Sequence, residues 1–335
     1  MSTNNTHTLL LSADDEQLIF KNCMLKIVNI IENVMKKASN NDVFLPKKIS
    51  HIFDESTQNR INCMPAALLS DKLYGVKWVA VFPDNPKEGF RNVTGTTILS
   101  ELEHGHTLSI MDSGYLTDLR TAAVGATAAK YLARENSSTI GFIGAGQQAR
   151  RHLDTILTVR PSIKKCYVSS RTVDTVKNFI EEESQLHPNI EFINCENDFE
   201  KAVADSDIIV TATSAQSDLL KASWIKDGAL YIHVAGWEDE YSVAQMASKI
   251  VCDDWESIKH RTQTISRMYN EGLLKDSDIY GNLVDVISGK IAGRENDKEF
   301  IYFCSVGLAY IDVAFAKFVY EEARKRGLGT EFAFN

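Results

Sequence analysis

Residues 140–150, Ile-Gly-Phe-Ile-Gly-Ala-Gly-Gln-Gln-Ala-Arg, narrow the possible architectures most sharply. A short apolar run ends in a glycine turn, and a helical pattern begins at once. Gly144 permits the tight turn, and Gly146 removes the Cβ that would block a pyrophosphate. Ala149 lets the helix lie close to its strand, and the helix N-terminus offers N–H donors and a positive dipole end. The segments downstream give this spacing its weight. Strand 139–143 is succeeded by a helix over 147–158, strand 165–169 by a helix over 173–185, and strand 190–193 by an acidic helix near 197–204. Further strands fall at 207–213, 230–235 and 249–253. Strands alternating with helices predict a parallel sheet with right-handed crossovers, hence a doubly wound, Rossmann-type dinucleotide-binding domain.

The segment before it reads differently. Ser12-Ala-Asp-Asp15 forms a capping-box pattern, opening one predicted helix over 13–38 with Leu18, Ile19, Cys23, Leu25, Ile27, Ile30, Ile31 and Val34 at near-helical spacing. Residues 42–110 are strand-rich, and a helix over 117–134 joins the parts. After a final apolar strand at 300–306, a helix over 309–325 is expected to return to the first domain. The predicted division is therefore an α+β substrate domain, 1–120 with 308–335, and a dinucleotide-binding domain, 121–307.

A chain of 335 residues has room for two cores. Its net charge of −9 comes with no basic block, which argues against nucleic acid as a partner. No apolar stretch is long enough for a membrane span, and residues 1–7 lack a signal-peptide pattern, so a cytoplasmic location is expected. Six scattered cysteines with no C-x-x-C pair read as reduced thiols. His104 and His106 read as surface histidines on a hairpin turn, and no metal is implied.

Several segments together resemble the ornithine cyclodeaminase/μ-crystallin family. They are Gly75-Val-Lys-Trp78, Pro83-Asp-Asn-Pro86, Leu119-Arg-Thr-Ala-Ala123, the Gly144 loop, Val251-Cys-Asp-Asp-Trp255, Gly289-Lys-Ile-Ala-Gly-Arg294 and Ser305-Val-Gly-Leu-Ala309 with Asp312. The resemblance implies a homodimer with substrate on the N-terminal domain and NAD(P) on the Rossmann domain. Arg60-Ile-Asn-Cys-Met-Pro65 and residues 75–85 look most like the branch that oxidises N-(2-amino-2-carboxyethyl)-L-glutamate to 2-oxoglutarate and L-2,3-diaminopropionate, a precursor of siderophores and peptide antibiotics.

The resemblance also carries site residues. Lys77 matches the family's active-site lysine, Arg120 its active-site arginine, and Lys48 falls where cyclodeaminases carry an arginine. Such cations suit a carboxylate substrate, and a lysine beside a second cation can exchange protons. Met64 matches a position packed near substrate. Gly144, Ala145, Gly146, Gln147 and Gln148 form the expected phosphate loop. Asn92, Arg120, Thr121, Thr211, Thr213 and Gly307 are further expected cofactor contacts, although many relatives carry threonine at Asn92. Trp237 stands where cyclodeaminases place an aspartate, which puts ring closure in doubt. Glu238 or Asp239 could supply a base, the alternative being an exposed acidic loop; His233 reads as a core histidine. The second strand ends Ser169-Ser170-Arg171-Thr172, with no carboxylate before Asp174, so NADP(H) is favoured over NAD(H).

The leading expectation is thus an NAD(P)-dependent oxidoreductase acting on the C–N bond of an N-substituted amino acid. The alternatives are a cyclodeaminase with bound NAD, a ketimine or Δ1-pyrroline-2-carboxylate reductase, and a non-catalytic, crystallin-type nucleotide-binding protein.

Overall fold

The computed structural model, which describes residues 7–21, 23–54, 56–234 and 236–334, divides into two units. One is Met1–Arg120 with Leu308–Asn335, the other Thr121–Gly307.

The first unit is built on an eight-stranded sheet. Its strands are β1 (His7–Leu11), β2 (Val43–Phe44), β3 (Ile49–Asp54), β4 (Asn59–Leu68), β5 (Leu73–Val81), β6 (Val93–Glu101), β7 (Thr107–Asp112) and β18 (Thr330–Ala333). They lie in the order β18-β1-β7-β6-β5-β4-β2, with β3 also paired to β4. Period-two alternation sets the faces. Along β5, Leu73, Gly75, Lys77 and Val79 point inward while Trp78 is exposed. Helix α11 (Ala309–Arg326) packs on β4 and β5, and α2 (Met24–Ser39) packs on α11 through an amphipathic face that buries Ile27, Val28, Ile31, Val34 and Met35.

The single helix predicted over 13–38 is two helices, α1 (Ala13–Phe20) and α2, separated where Lys21 takes an extended ψ of 121°. The Ser12–Asp15 capping box is present. A continuous helix of that length would run straight for about 39 Å, against about 27 Å for the 18-residue α11 on which both pieces rest. Leu18 and Leu25, read as core positions, are exposed. Strand β3 lies at an edge, so most of its residues are exposed and show no apolar alternation.

Helix α3 (Gly114–Leu132) begins in the first unit and carries the chain into the second. There a fully parallel sheet contains β8 (Thr139–Ile143), β9 (Lys165–Ser169), β10 (Glu191–Asn194), β11 (Ile208–Thr211), β13 (Leu230–His233), β15 (Lys249–Cys252), β16 (Gly281–Asn282) and β17 (Ile301–Cys304). The order is β10-β9-β8-β11-β13-β17-β15-β16, joined throughout by parallel ladders. The predicted Rossmann-type sheet is therefore present. Its central strands are buried on both faces, which is why they read as unbroken apolar runs. Helices α4 (Gln147–Val159), α5 (Val173–Leu186), α6 (Phe199–Val203), α7 (Tyr241–Gln245), α8 (Trp255–Ile258), α9 (Thr264–Asn270) and α10 (Leu283–Ile287) complete the unit with the short parallel pair β12 (Gln216–Leu220) and β14 (Trp237–Asp239). Strand 230–235 ends at His233, and Ala235 lies outside the described residues. Among the described residues, no helix is long and apolar enough to cross a membrane.

Candidate active site

In the first unit the alternation of β5 forces Lys77 into the core, where its side chain is 0% exposed. The register places Met64 of β4 and Thr97 of β6 on either side of it. Gly75, two residues earlier on the same face, lets α11 approach: a Cβ there would lie 2.9 Å from Val313 Cγ2. Asp312, the neighbour of Val313, thereby reaches Lys77. Lys77 Nζ donates to Asp312 Oδ1 at 2.6 Å and meets Thr117 Oγ1 at 3.4 Å. Arg120, one turn beyond Thr117 on α3, places Nε 3.0 Å from the same oxygen. The second carboxylate oxygen, Oδ2, has no hydrogen-bond partner.

Two cations therefore share one buried carboxylate, leaving one net positive charge. Desolvation, and then the Arg120 guanidinium, pull the Lys77 ammonium down to about 8, against the opposing pull of Asp312. Met64 is buried beside Lys77. Lys48, between β2 and β3, is half-buried, and Asn92 is exposed just before β6. Thr121 is half-buried at the first position of the second unit.

In the second unit β8 is the first strand in sequence. The chain runs outward through β9 and β10 and then returns to β11 on the other side of β8. This is the topological switch point at which open α/β sheets bind ligands. Gly144 follows β8 with φ +103°, and a Cβ there would stand 2.9 Å from Ala212 O and Thr213 Cγ2. Ala145 is buried and Gln148 half-buried, while Gly146 and Gln147 are exposed. Gly146 caps α4 without a side-chain partner, and a Cβ added to it would meet nothing within 4 Å. An open, uncapped helix start beside a glycine turn fits a dinucleotide pyrophosphate. Ser170 is half-buried and Arg171 exposed just past β9.

Glu238 and Asp239 are fully buried, so the exposed acidic loop does not exist. They lie on β14, which pairs with β12. Glu238 accepts from Thr211 Oγ1 at 2.8 Å and from the Thr213 amide at 2.6 Å, gripping the carboxyl end of β11. Asp239 accepts from Thr264 Oγ1 at 2.7 Å and Tyr302 Oη at 3.1 Å. Burial raises both carboxyls, Asp239 to about 7 despite its hydroxyl donors. His233 is likewise buried, and desolvation lowers it. Trp237 is half-buried, its indole donating to Asp218 at 2.7 Å while the Arg267 guanidinium lies 4.0 Å over its ring.

Two carboxylates outside the sequence-predicted site residues prove structurally central, Asp312 and Asp253. Asp253 Oδ2 accepts from Ser305 Oγ, Val306 N and Gly307 N at 2.8–2.9 Å, fixing the turn in which Gly307 has φ +78°. Its local sequence signal is no more than a carboxylate directly after an apolar strand. His104 and His106 are exposed, and the Glu101 carboxylate beside them accepts from the backbone amides of its own turn.

Known proteins resemble this chain over nearly its whole length. A Δ1-pyrroline-2-carboxylate reductase of Thermococcus litoralis, solved with NADH and L-proline, is 31% identical, covering 96% of this chain and 99% of its own, with a TM-score of 0.91. An archaeal alanine dehydrogenase dimer with bound NAD is 31% identical over 98% of this chain and 100% of its own, with a TM-score of 0.89. The N-((2S)-2-amino-2-carboxyethyl)-L-glutamate dehydrogenase of Staphylococcus aureus is 27% identical over 97% of this chain and 98% of its own. The sequence profile of one family matches residues 9–327: the chain belongs to the ornithine cyclodeaminase/mu-crystallin family.

Proposed function

We propose that the chain is an NAD(P)-dependent oxidoreductase that acts at the Cα–N bond of an amino or imino acid. The observation that carries this reading is the buried group of Lys77, Arg120 and Asp312, two cations to one carboxylate. Burying charges costs several kcal/mol each, and a surplus positive charge held in a core is suited to binding an anion. A non-catalytic nucleotide carrier has no need of it.

The division of labour follows from exposure. Arg120, buried but with 8% of its side-chain surface still exposed against none for Lys77, takes the substrate carboxylate through its guanidinium. Lys77 lies behind it, holding a proton at Nζ close to neutrality, ready to be shared with the substrate nitrogen. The Gly144–Gln148 loop and the uncapped start of α4 hold the pyrophosphate, and Asp253 shapes the Gly307 turn. Bound nicotinamide would supply or accept the hydride. Glu238 and Asp239 are sealed from solvent, so Glu238 supports Thr211 and Thr213 and Asp239 supports Thr264 and Tyr302, instead of acting as a base on free water. Exposed Arg171 with Ser170 favours a 2′-phosphate, whereas the two solved relatives hold NAD or NADH; the kcat/KM ratio for NADPH over NADH decides. We further propose a homodimer, supported by the exposed Trp78 and Ile98 on the first unit's sheet and by the alanine dehydrogenase dimer.

For the substrate we propose N-(2-amino-2-carboxyethyl)-L-glutamate, supported by residues 60–65 and 75–85 and by the Staphylococcus relative. Trp237 in place of an acid speaks against ring closure. A second reading, reduction of a cyclic imino acid, is supported by the 31% identity to the pyrroline-carboxylate reductase. Reduced-nicotinamide absorbance with carboxyethyl-glutamate, L-alanine, L-proline and Δ1-pyrroline-2-carboxylate, each with both cofactors, tests the assignment. Ammonia release from ornithine without net change in nicotinamide would replace it with a cyclodeaminase.

A further inference from the structure

We infer that Asp312 is the positioning residue of the site: its single engaged carboxylate oxygen holds the Lys77 ammonium and the Arg120 guanidinium together, facing an anionic substrate. This rests on the proposed function, in which the pair receives the substrate carboxylate.

Three features of the first unit carry the inference. The first is chemical. Asp312 is 1% exposed, and replacing a buried ion group with apolar side chains of similar volume is often neutral or stabilising, so stability alone does not account for three charges in this core. The second is geometric. Both cations converge on the same atom, Oδ1, at 2.6 and 3.0 Å, so one carboxylate fixes their separation. The Arg120 contact is an ion contact without hydrogen-bond geometry, and the guanidinium retains its capacity to donate elsewhere. The third is the packing that delivers Asp312. Gly75 admits α11 to the sheet at Val313, one residue along, and Gly75 and Lys77 share a face of β5.

The groups around Lys77 are few. Strands β4 and β6 present Met64 and Thr97, helix α3 presents Thr117 and Arg120, and α11 presents Asp312. Asp312 is the only anion in this set. Without it two buried cations face each other, and the ammonium yields its proton more easily.

The test uses the purified full chain with 13C at the lysine ε-carbons, the Lys77 signal being assigned by its loss in Lys77→Met. In Asp312→Asn the NMR titration midpoint of Lys77 falls by about one pH unit or more, and KM for the amino-acid substrate rises about tenfold or more while kcat changes less. Asp312→Glu, which keeps the charge, recovers part of both. A Lys77 midpoint that stays where it is in a folded Asp312→Asn protein overturns the inference, whatever its melting temperature. Should Asp312→Asn not fold, Lys77→Met/Asp312→Asn is made. Recovery of folding by this removal of a charge pair supports the coupling, and continued misfolding overturns it. Failure of the wild-type chain to turn over any amino or imino acid with NADH, NADPH or their oxidised forms defeats the functional reading alone, because the NMR result needs neither substrate nor cofactor.

Discussion

Glu16 is a carboxyl group in the wrong solvent, and its replacement gives a quantitative test of the first unit. It sits on the inward face of α1 with no exposed surface and no hydrogen-bond partner on either oxygen. Burial, reinforced by the nearby Asp112 carboxylate, raises it from 4.5 to about 9. The folded chain therefore keeps the proton that the unfolded chain releases above pH 4.5. For an acid raised in this sense, the full stability is present below the unfolded value and declines as pH climbs toward 9. The loss is about 1.4 kcal/mol per pH unit, or roughly 3 kcal/mol by pH 7. Glu16→Gln has nearly the same shape and cannot ionise. Urea unfolding followed by circular dichroism at pH 5.5 and pH 8 should show the Gln chain gaining about 3 kcal/mol on the wild type between the two conditions. Any constant penalty from the amide cancels in that difference. Parallel stability curves, within about 0.5 kcal/mol across the range, would refute the claim that Glu16 is held neutral.

Three other outcomes are expected. Lys77→Met should lower kcat/KM about a hundredfold or more, since it removes both charge and proton from the site, and near-normal turnover at saturating substrate would reduce the lysine to packing. Asp253→Ala leaves two backbone amides and a hydroxyl without their acceptor; at roughly 1 kcal/mol for each, dinucleotide affinity by fluorescence titration should fall about a hundredfold. Gly144→Ala meets a left-handed φ and a carbonyl at 2.9 Å, so it should abolish dinucleotide binding and cost about 1–3 kcal/mol in thermal unfolding.

The parallel sheet is legible in the sequence because its central strands are buried on both faces and read as apolar runs. Strands 139–143 and 165–169 match their predicted ranges to the residue. Segment 214–300 is much less legible. Strands β12 and β14 have only five and three residues, and helices α7, α8 and α10 have four or five, too short for periodicity to register. The same limit hides the fate of Glu238 and Asp239. An acidic run reads as solvated unless the hydroxyls of Thr211, Thr264 and Tyr302, up to 63 residues away, are known to be waiting. Lys77 is visible as a lysine in an apolar strand. Its carboxylate partner lies 235 residues along the chain, and no local pattern spans that distance.

That separation has a consequence for synthesis on the ribosome. The strand bearing Lys77 and the helix bearing Arg120 emerge early, but their counter-ion arrives only with the last helix, after the whole nucleotide-binding unit has been made. Until then the amino-terminal sheet lacks both its covering helix and the anion that makes its interior cations tolerable. The nascent sheet thus has to wait half-assembled while the inserted domain folds, and chains cut short before residue 312 should be recognised as unfinished by chaperones and proteases.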